Sequence, residues 1–293
     1  MSFFVATRQW PGRAASEKRG WLVARRYLLL RRFSQLGILA LFLTGPWFGL
    51  WVLKGNLSAS LLFDVIPMTD PFVLLQTLAT GHWPYTVAWT GVGIVLAFYL
   101  LVGGRTYCSW VCPVNLVTDA AAWLRRRVGL KTGRTPPRDL RFWVLGTVLV
   151  ASAVGGTVVW EWINPVSMMH RAVIFGGGLA WAIVLGVFLY DFVLAPRGWC
   201  GHVCPMGACY GLINKGALLR VAAPRRSACN DCLDCFAICP EPQVIRPALK
   251  GEGSPLIASS DCTNCGRCID VCGEDVFSFT LRTARFDSRR DAT

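Results

Sequence analysis

Eight cysteines near the C-terminus are spaced to hold redox-active iron. Cys229-x2-Cys232-x2-Cys235-x3-Cys239-Pro240 is followed by Cys262-x2-Cys265-x2-Cys268-x3-Cys272-Gly273. This is the bacterial ferredoxin spacing for two [4Fe–4S] clusters, in which the fourth cysteine of each run serves the other cluster. Two-residue spacers let three thiolates grip three irons of one cubane, and the crossed fourth ligand locks the halves together. The spacing assigns Cys229, Cys232, Cys235 and Cys272 to a first cluster, and Cys262, Cys265, Cys268 and Cys239 to a second. Gly273 stands where proline is usual, which affects the local turn and removes no ligand. Zinc in paired Cys-x2-Cys knuckles is the alternative, disfavoured by the full double pattern.

Four more cysteines form two shorter motifs. Arg105-Thr-Tyr-Cys108-Ser-Trp-Val-Cys112-Pro113 and Arg197-Gly-Trp-Cys200-Gly-His-Val-Cys204-Pro205 match in Arg, an aromatic, both cysteines, Val and Pro at one constant offset. Spacing of four puts both sulfurs of a pair on one helical face, suited to sharing a metal or forming a redox couple. Brought together, Cys108, Cys112, Cys200 and Cys204 could hold a further cluster or another metal. The competing reading is buried small residues in a helix-ending turn. Cys209 belongs to no motif and reads as packing. No Cys-x2-Cys-His occurs, which excludes covalent c-type haem. A haem held by His82 and His170 competes with ordinary loop histidines, the commoner case. Motifs for nucleotide binding, Ser/His/Asp nucleophiles and zinc proteases are absent.

The elements that position these cysteines follow from composition. Of 293 residues, 54% are hydrophobic and only 16% charged, against about 25% charged in ordinary soluble proteins. Disorder is thereby excluded, and the chain is too apolar for a small disulfide-rich secreted domain. Four uncharged runs, Phe33–Leu53, Trp83–Gly104, Phe142–Trp160 and Ala172–Tyr190, approach or exceed the roughly 20 residues that span a bilayer core. Lys+Arg number 30 against Asp+Glu 17, a formal charge of +13. Such a balance fits nucleic acid or a membrane, and the placement decides. Arginines and lysines, Arg8 among them, crowd the segment before the first run, the 105–141 loop (which includes Lys131) and the tail. Lys54 and Arg171 stand alone in the other loops. Positively charged loops stay inside, so both termini and the 105–141 loop are expected in the cytoplasm, with 54–82 and 161–171 outside. Nucleic acid is then not needed as a partner; membrane lipid is. Arg25-Arg26 and Arg31-Arg32 before an apolar run look like an export signal, but no small-residue cleavage site follows.

Asp70-Pro71 and Asn164-Pro165 recur in the two outward loops, each suited to cap a helix with proline in its first turn. The repeating unit is a helix, an outward loop with a capped helix start, a second helix and an inner Cys-x3-Cys-Pro. Copies running in the same direction imply a pseudo-two-fold axis along the membrane normal, which would bring the inner cysteine pairs close. The expected fold is an α-helical integral membrane protein with four transmembrane helices as two parallel-repeat pairs, and a C-terminal cytoplasmic 2[4Fe–4S] ferredoxin-like α+β domain. Its expected segments are a basic N-terminal stretch 1–32, membrane repeats 33–113 and 142–205, linkers 114–141 and 206–224, the ferredoxin domain 225–285 and a tail 286–293.

Taken together, Gly45-Pro46-Trp47, Thr69-Asp70-Pro71, the run from Gly103 to Asp119 and both ferredoxin runs resemble the NapH family, over roughly residues 20 to 285. The resemblance implies the quinol dehydrogenase membrane component of periplasmic nitrate reductase systems, in the bacterial inner membrane. It implies ubiquinol or menaquinol as substrate, a NapG-like iron–sulfur partner, and a NapC-like cytochrome and the NapAB nitrate reductase downstream. NosR and MauN share this core, and the large periplasmic domain of NosR is missing here. A NosR-like or MauN-like role, supplying electrons for maturation or reactivation of an exported metalloenzyme, is the alternative function.

Quinol oxidation releases two electrons and two protons, so a site needs a proton acceptor, a pocket for the ring and a one-electron acceptor nearby. The outward loops offer Asp64, Asp70, His82, Glu161 and His170. A quinol head group is expected at the outer helix ends near Asp70 and Asn164, where positive helix dipoles favour a developing quinolate. His82, His170 or Glu161 would be the base. The competing reading is that Asp70 and Asn164 only cap helices. The clusters are expected inside, whereas periplasmic nitrate reduction consumes electrons outside, so partners or transfer across the bilayer must connect them.

Overall fold

The computed structural model describes residues 10–130, 133–251 and 253–284; Arg8, Lys131 and the 286–293 tail lie outside these ranges. Helix α1 (Arg13–Arg19) leads through a turn into α2 (Arg26–Phe48), which starts inside the arginine-rich segment and stops at Gly49, left-handed at φ 72°. Glycine adopts that backbone without a Cβ penalty, and it closes the last turn. The helical stretch Val23–Phe48 is long and apolar enough to cross a membrane. The next residues do not simply loop back. Strands β1 (Leu53–Gly55), β2 (Ala59–Leu62) and β3 (Ile66–Thr69) form an antiparallel meander, and β3 packs along the later helix Thr86–Val102.

Helix α3 (Pro71–Ala79) is followed by α4 (Thr86–Val102), α5 (Val114–Val128), α6 (Leu140–Gly155), a short α7 (Trp160–Ile163), α8 (Pro165–Phe175) and α9 (Gly178–Leu189). Three apolar stretches, Thr86–Val102, Leu140–Gly155 and Gly178–Leu194, are shorter than the first. The uncharged stretch Ala172–Tyr190 is not one helix. Gly176 (φ 72°) closes α8, and α9 starts afresh and runs on through a wide turn, Tyr190–Leu194. The uncharged runs therefore locate apolar helices but misplace their ends, because glycine rather than charge sets the boundaries. Phe98, Leu101, Trp143, Val150, Val154 and Leu185 on these helices are exposed.

The repeat is visible in local geometry. Asp70 caps α3 by accepting from the Phe72 N–H at 2.6 Å, and Asn164 caps α8 by accepting from the Val166 N–H at 3.1 Å, each with proline at the first helical position. Both Cys-x3-Cys-Pro motifs wind into a π-helical turn, Tyr107–Val111 and Trp199–Val203. Both then open into extended backbone at Cys112 and Cys204 before the proline. Proline disfavours helical backbone in the residue before it, which ends both turns at the second cysteine. Helix α10 (Pro205–Asn214) then runs against the first motif. A Cβ at Gly104 would lie 2.2 Å from the Tyr210 carbonyl oxygen and 2.6 Å from the Asn214 nitrogen. Gly104→Ala is expected to destabilise the fold by about 1–3 kcal/mol through overpacking, read from the unfolding midpoint of the purified protein.

The C-terminal unit is framed by β4 (Leu219–Ala222) paired antiparallel with β5 (Ser278–Leu281). Between them lie α11 (Asp234–Ile238), α12 (Ile245–Lys250) and α13 (Arg267–Val271), packed on a core of Val221, Val244, Ile245, Ile257 and Val276. The N-terminus is tied to it. The Gly12 N–H donates to Asp234, Arg19 donates to the Ile269 and Asp270 carbonyls, and Asp270 accepts from the Tyr27 and Leu28 N–H groups. Gly273 faces the backbone of Ala14 and Ala15, so α1 occupies the space beside the residue that replaces proline.

Candidate iron–sulfur centre

The two ferredoxin runs share a backbone device. In the first, Asp231 and Leu233 have positive φ; in the second, the equivalent Asn264 and Gly266 do. These left-handed residues curl each Cys-x2-Cys-x2-Cys stretch tightly enough for three sulfurs to face one point, at a cost wherever the residue is not glycine. Cys239, Cys262, Cys265 and Cys268 line one cavity of about 350 Å³, which Glu241 and Arg267 also line. Cys229, Cys232, Cys235 and Cys272 line a second, of about 390 Å³. Each cavity takes three thiols from one run and one from the other. Among the described residues no three His, Cys, Asp or Glu side chains converge closely enough for a single metal ion. Four thiols gathered around one cavity suit a multi-iron cluster instead.

The cavities differ in depth. The first, the inner one, is covered by the segments carrying the Cys-x3-Cys-Pro motifs, whereas Cys232 of the outer one is exposed. Ser109 Oγ donates to the Thr263 carbonyl at 2.8 Å and Trp110 Nε1 to the Asn264 carbonyl at 3.0 Å. Asn214 Nδ2 donates to the Cys262 carbonyl at 2.9 Å. Arg105, the first matched residue of its motif, donates to the Asp261 carbonyl at 2.7 Å and the Cys200 carbonyl at 3.2 Å, and pairs with Glu241 at 3.2 Å. Its counterpart Arg197 donates to the Ile238 carbonyl at 2.6 Å. A second network sets Asp119 against Arg267 at 2.7 Å and against Arg32 and Arg31. Burial pushes the Cys262 thiol up to about 11. It also raises Cys265, but Arg267 and Arg31 more than offset it and hold that thiol below its ordinary value.

The four motif cysteines lie beyond the ends of the apolar helices, and Cys108, Cys112 and Cys204 belong to or pack against the core of the helical part. Burial pushes Cys204 up to about 12 and raises Cys108, Cys112 and Cys200 as well. The further metal centre expected from their spacing finds no support: among the described residues these four cysteines do not converge on a single-ion site. Around them sequence reasoning missed a buried aromatic group: Tyr107 and Tyr210 stack at 4.6 Å, and Tyr99 meets both edge-on.

Asp70 stands at the start of α3. The β1–β3 meander folds the loop back between the helices, so Asp70 is buried and its Oδ2 accepts from Tyr210 OH at 3.2 Å. Its N–H donates to the Ser58 carbonyl, and Ser58 Oγ donates to Glu161 at 2.9 Å. Glu161 also accepts from Asn164 Nδ2 at 2.9 Å and Ser167 Oγ at 2.7 Å. The structure therefore brings Asp70, Glu161 and Asn164 into one buried polar patch. His170 is buried with Nε2 unpartnered, its ring 5.1 Å from Phe42. His82 is exposed and hydrogen-bonded to Thr80. Helix α3 carries it about 14 Å along the chain from Asp70, which separates it from the patch. Asp64 pairs with Lys54 on the surface.

Comparison with known proteins covers both halves. A model described as a 4Fe-4S binding domain matches residues 86–131 and again 175–226, one match on each repeat; a 4Fe-4S dicluster domain matches 228–276. The chain is 52% identical over 272 residues to the ferredoxin-type protein NapH of Escherichia coli, covering 92% of this chain and 95% of that one. It is 47% identical over 276 residues to NapH of Haemophilus influenzae, covering 94% and 96%. The methylamine utilization ferredoxin-type protein MauN of Paracoccus denitrificans is 52% identical over 249 residues, covering 85% and 88%. No solved structure matches the chain.

Proposed function

The chain belongs to the NapH family of ferredoxin-type proteins, and on that premise we propose that it is a membrane electron carrier that takes part in quinol oxidation and passes electrons toward a periplasmic nitrate reductase. Four apolar helices with exposed Leu, Val, Phe and Trp side chains support a fourfold crossing, since such surfaces are stable in lipid and costly in water. The arginine-rich loops support a cytoplasmic position for both termini and the iron–sulfur domain. Cys229, Cys232, Cys235 and Cys272 would ligate the outer [4Fe–4S] cluster, and Cys262, Cys265, Cys268 and Cys239 the inner one. Such clusters, when bound, accept and donate single electrons.

The observation that carries this reading is the docking of the motif loops on the inner ligand loop, Ser109 to Thr263 and Trp110 to Asn264. It holds the helical part against the loop that carries Cys262 and Cys265. Within the helices, Asp70 and Glu161 are the carboxylates available to take quinol protons, and Asn164 and Ser167 orient Glu161. A NapG-like iron–sulfur protein, a NapC-like cytochrome and NapAB are the proposed partners. Ubiquinol added anaerobically to membranes containing the protein should reduce its clusters, read by EPR. Asp70→Ala should slow that reduction at least tenfold, whereas normal reduction in the variant would remove Asp70 from the site. The 52% identity to MauN favours a second reading, delivery of electrons for maturing an exported metalloenzyme. Nitrate-dependent quinol oxidation in the presence of the Nap-type partners separates the two, since only the first reading requires it.

A further inference from the structure

We propose that a shell of arginines, the buried Arg31, Arg105, Arg220 and Arg267 with the half-buried Arg197, gives the inner iron–sulfur site the higher reduction potential of the two, so that an electron entering the protein rests there. Burial alone argues for the opposite order. Reduction adds a negative charge to the cluster, and taking charge out of water is unfavourable, so the deeper site would be the harder to reduce. Hydrogen bonds and nearby charge are the terms that set cluster potentials besides exposure. The structure sets the buried arginines around the inner site.

Arg267 lies between ligands Cys265 and Cys268 and lines the inner cavity itself. Arg105 and Arg197 each grip the carbonyl of a residue adjoining a ligand, Asp261 before Cys262 and Ile238 before Cys239. Arg220, from β4, donates to the Ser259 carbonyl at 3.2 Å, and its neighbour Val221 lines the cavity. Arg31 is 1% exposed, with Nε and Nη1 lacking any hydrogen-bond partner and Asp119 no nearer than 4.0 Å. A guanidinium buried in this way needs a negative partner, and the inner ligand set supplies one.

The carboxylates facing this shell do not cancel it. Asp119 is shared by Arg31, Arg32 and Arg267, and Glu241 by Arg105 and Arg138. Asp261 is shared by Arg105 and Arg141. The outer cavity is different. Its lining includes Asp231 and Glu274, which pair one-to-one with Lys250 and Lys18 at the surface. Salt and water screen those charges.

The inference rests on the assignment of two clusters to the two quartets, and not on quinol as the donor. The test is an EPR-monitored redox titration of the purified full chain carrying both clusters, with Cys272→Ala identifying the inner signal. Wild type should show the inner signal reduced first. Arg31→Gln should shift the inner reduction equilibrium at least tenfold toward the oxidised form, 59 mV for one electron, with the outer signal unmoved. Arg31→Lys, which keeps the charge, should stay close to wild type. If Arg31→Gln does not assemble, Arg220→Gln carries the same expectation. An inner signal that titrates below the outer one, or an unmoved inner potential in the charge-removing variant, overturns the proposal. Slow quinol reduction with the predicted potentials would instead count against the quinol reading alone.

Discussion

Replacing Cys239 with alanine is expected to abolish the cluster bound by Cys262, Cys265 and Cys268, and to leave the one nearest Cys239 in sequence intact. The reason is the crossed lining of the cavities: Cys239 faces the inner cavity together with the second run, and Cys272 faces the outer one with the first. Loss of one thiolate from a four-thiolate set opens an iron to solvent, and a buried site cannot recruit a replacement ligand. Purified Cys239→Ala and Cys262→Ala should therefore retain about half the iron and show the same residual EPR spectrum. Cys272→Ala and Cys232→Ala should share the complementary spectrum. If Cys239→Ala instead matched Cys232→Ala, the crossed assignment would be wrong and the arginine shell would have to be re-examined with it.

Arg105→Leu should be the most damaging change outside the cysteines. The side chain is 1% exposed and satisfies Glu241, 2% exposed, together with two carbonyls from separate parts of the chain. Removing one member of a buried ion pair leaves the other uncompensated, typically at a cost of about 3–5 kcal/mol. Lysine should not rescue it, because a single ammonium cannot reproduce a guanidinium fork that reaches the Cys200 and Asp261 carbonyls at once. Denaturant unfolding of the purified protein reads the loss; a change below about 1 kcal/mol would mean that the network is solvated and contributes as surface pairs do. The effect should depend on pH. Although burial raises it, Asp261 is held below its ordinary value overall by Arg141 and Arg105. Its contribution is therefore present above the unfolded carboxyl value, near 3.9, and lost as pH falls through the lower folded value. The gap between wild type and Arg105→Leu should narrow in acid.

Much of the site was legible because it is written in spacing. Ligand runs with two-residue spacers impose their own loop geometry, and the Asp-Pro and Asn-Pro pairs cap their helices locally. Such features need only neighbours in sequence. The positions of Asp70 and His82 were not legible, since they depend on whether the chain between α2 and α3 loops out or folds back. The β1–β3 meander folds it back and joins Asp70 to Tyr210, a contact spanning 140 residues. The tyrosine group of Tyr99, Tyr107 and Tyr210 was equally hidden, because buried aromatics have no spacing that separates a functional role from packing.

By itself the sequence determined the iron-binding chemistry, the twofold repeat and the crowding of basic residues into alternate segments, for each is a property of residue type and interval. Only the tertiary structure decided that the charge is more than a label of sidedness. Arg31, Arg105, Arg197 and Arg267 look in sequence like any basic residues flanking apolar helices. Folding removes Arg31, Arg105 and Arg267 from water, half-buries Arg197, and sets all four around one of two otherwise similar cysteine quartets. A charge acts through distance and dielectric, and neither exists until the chain has folded.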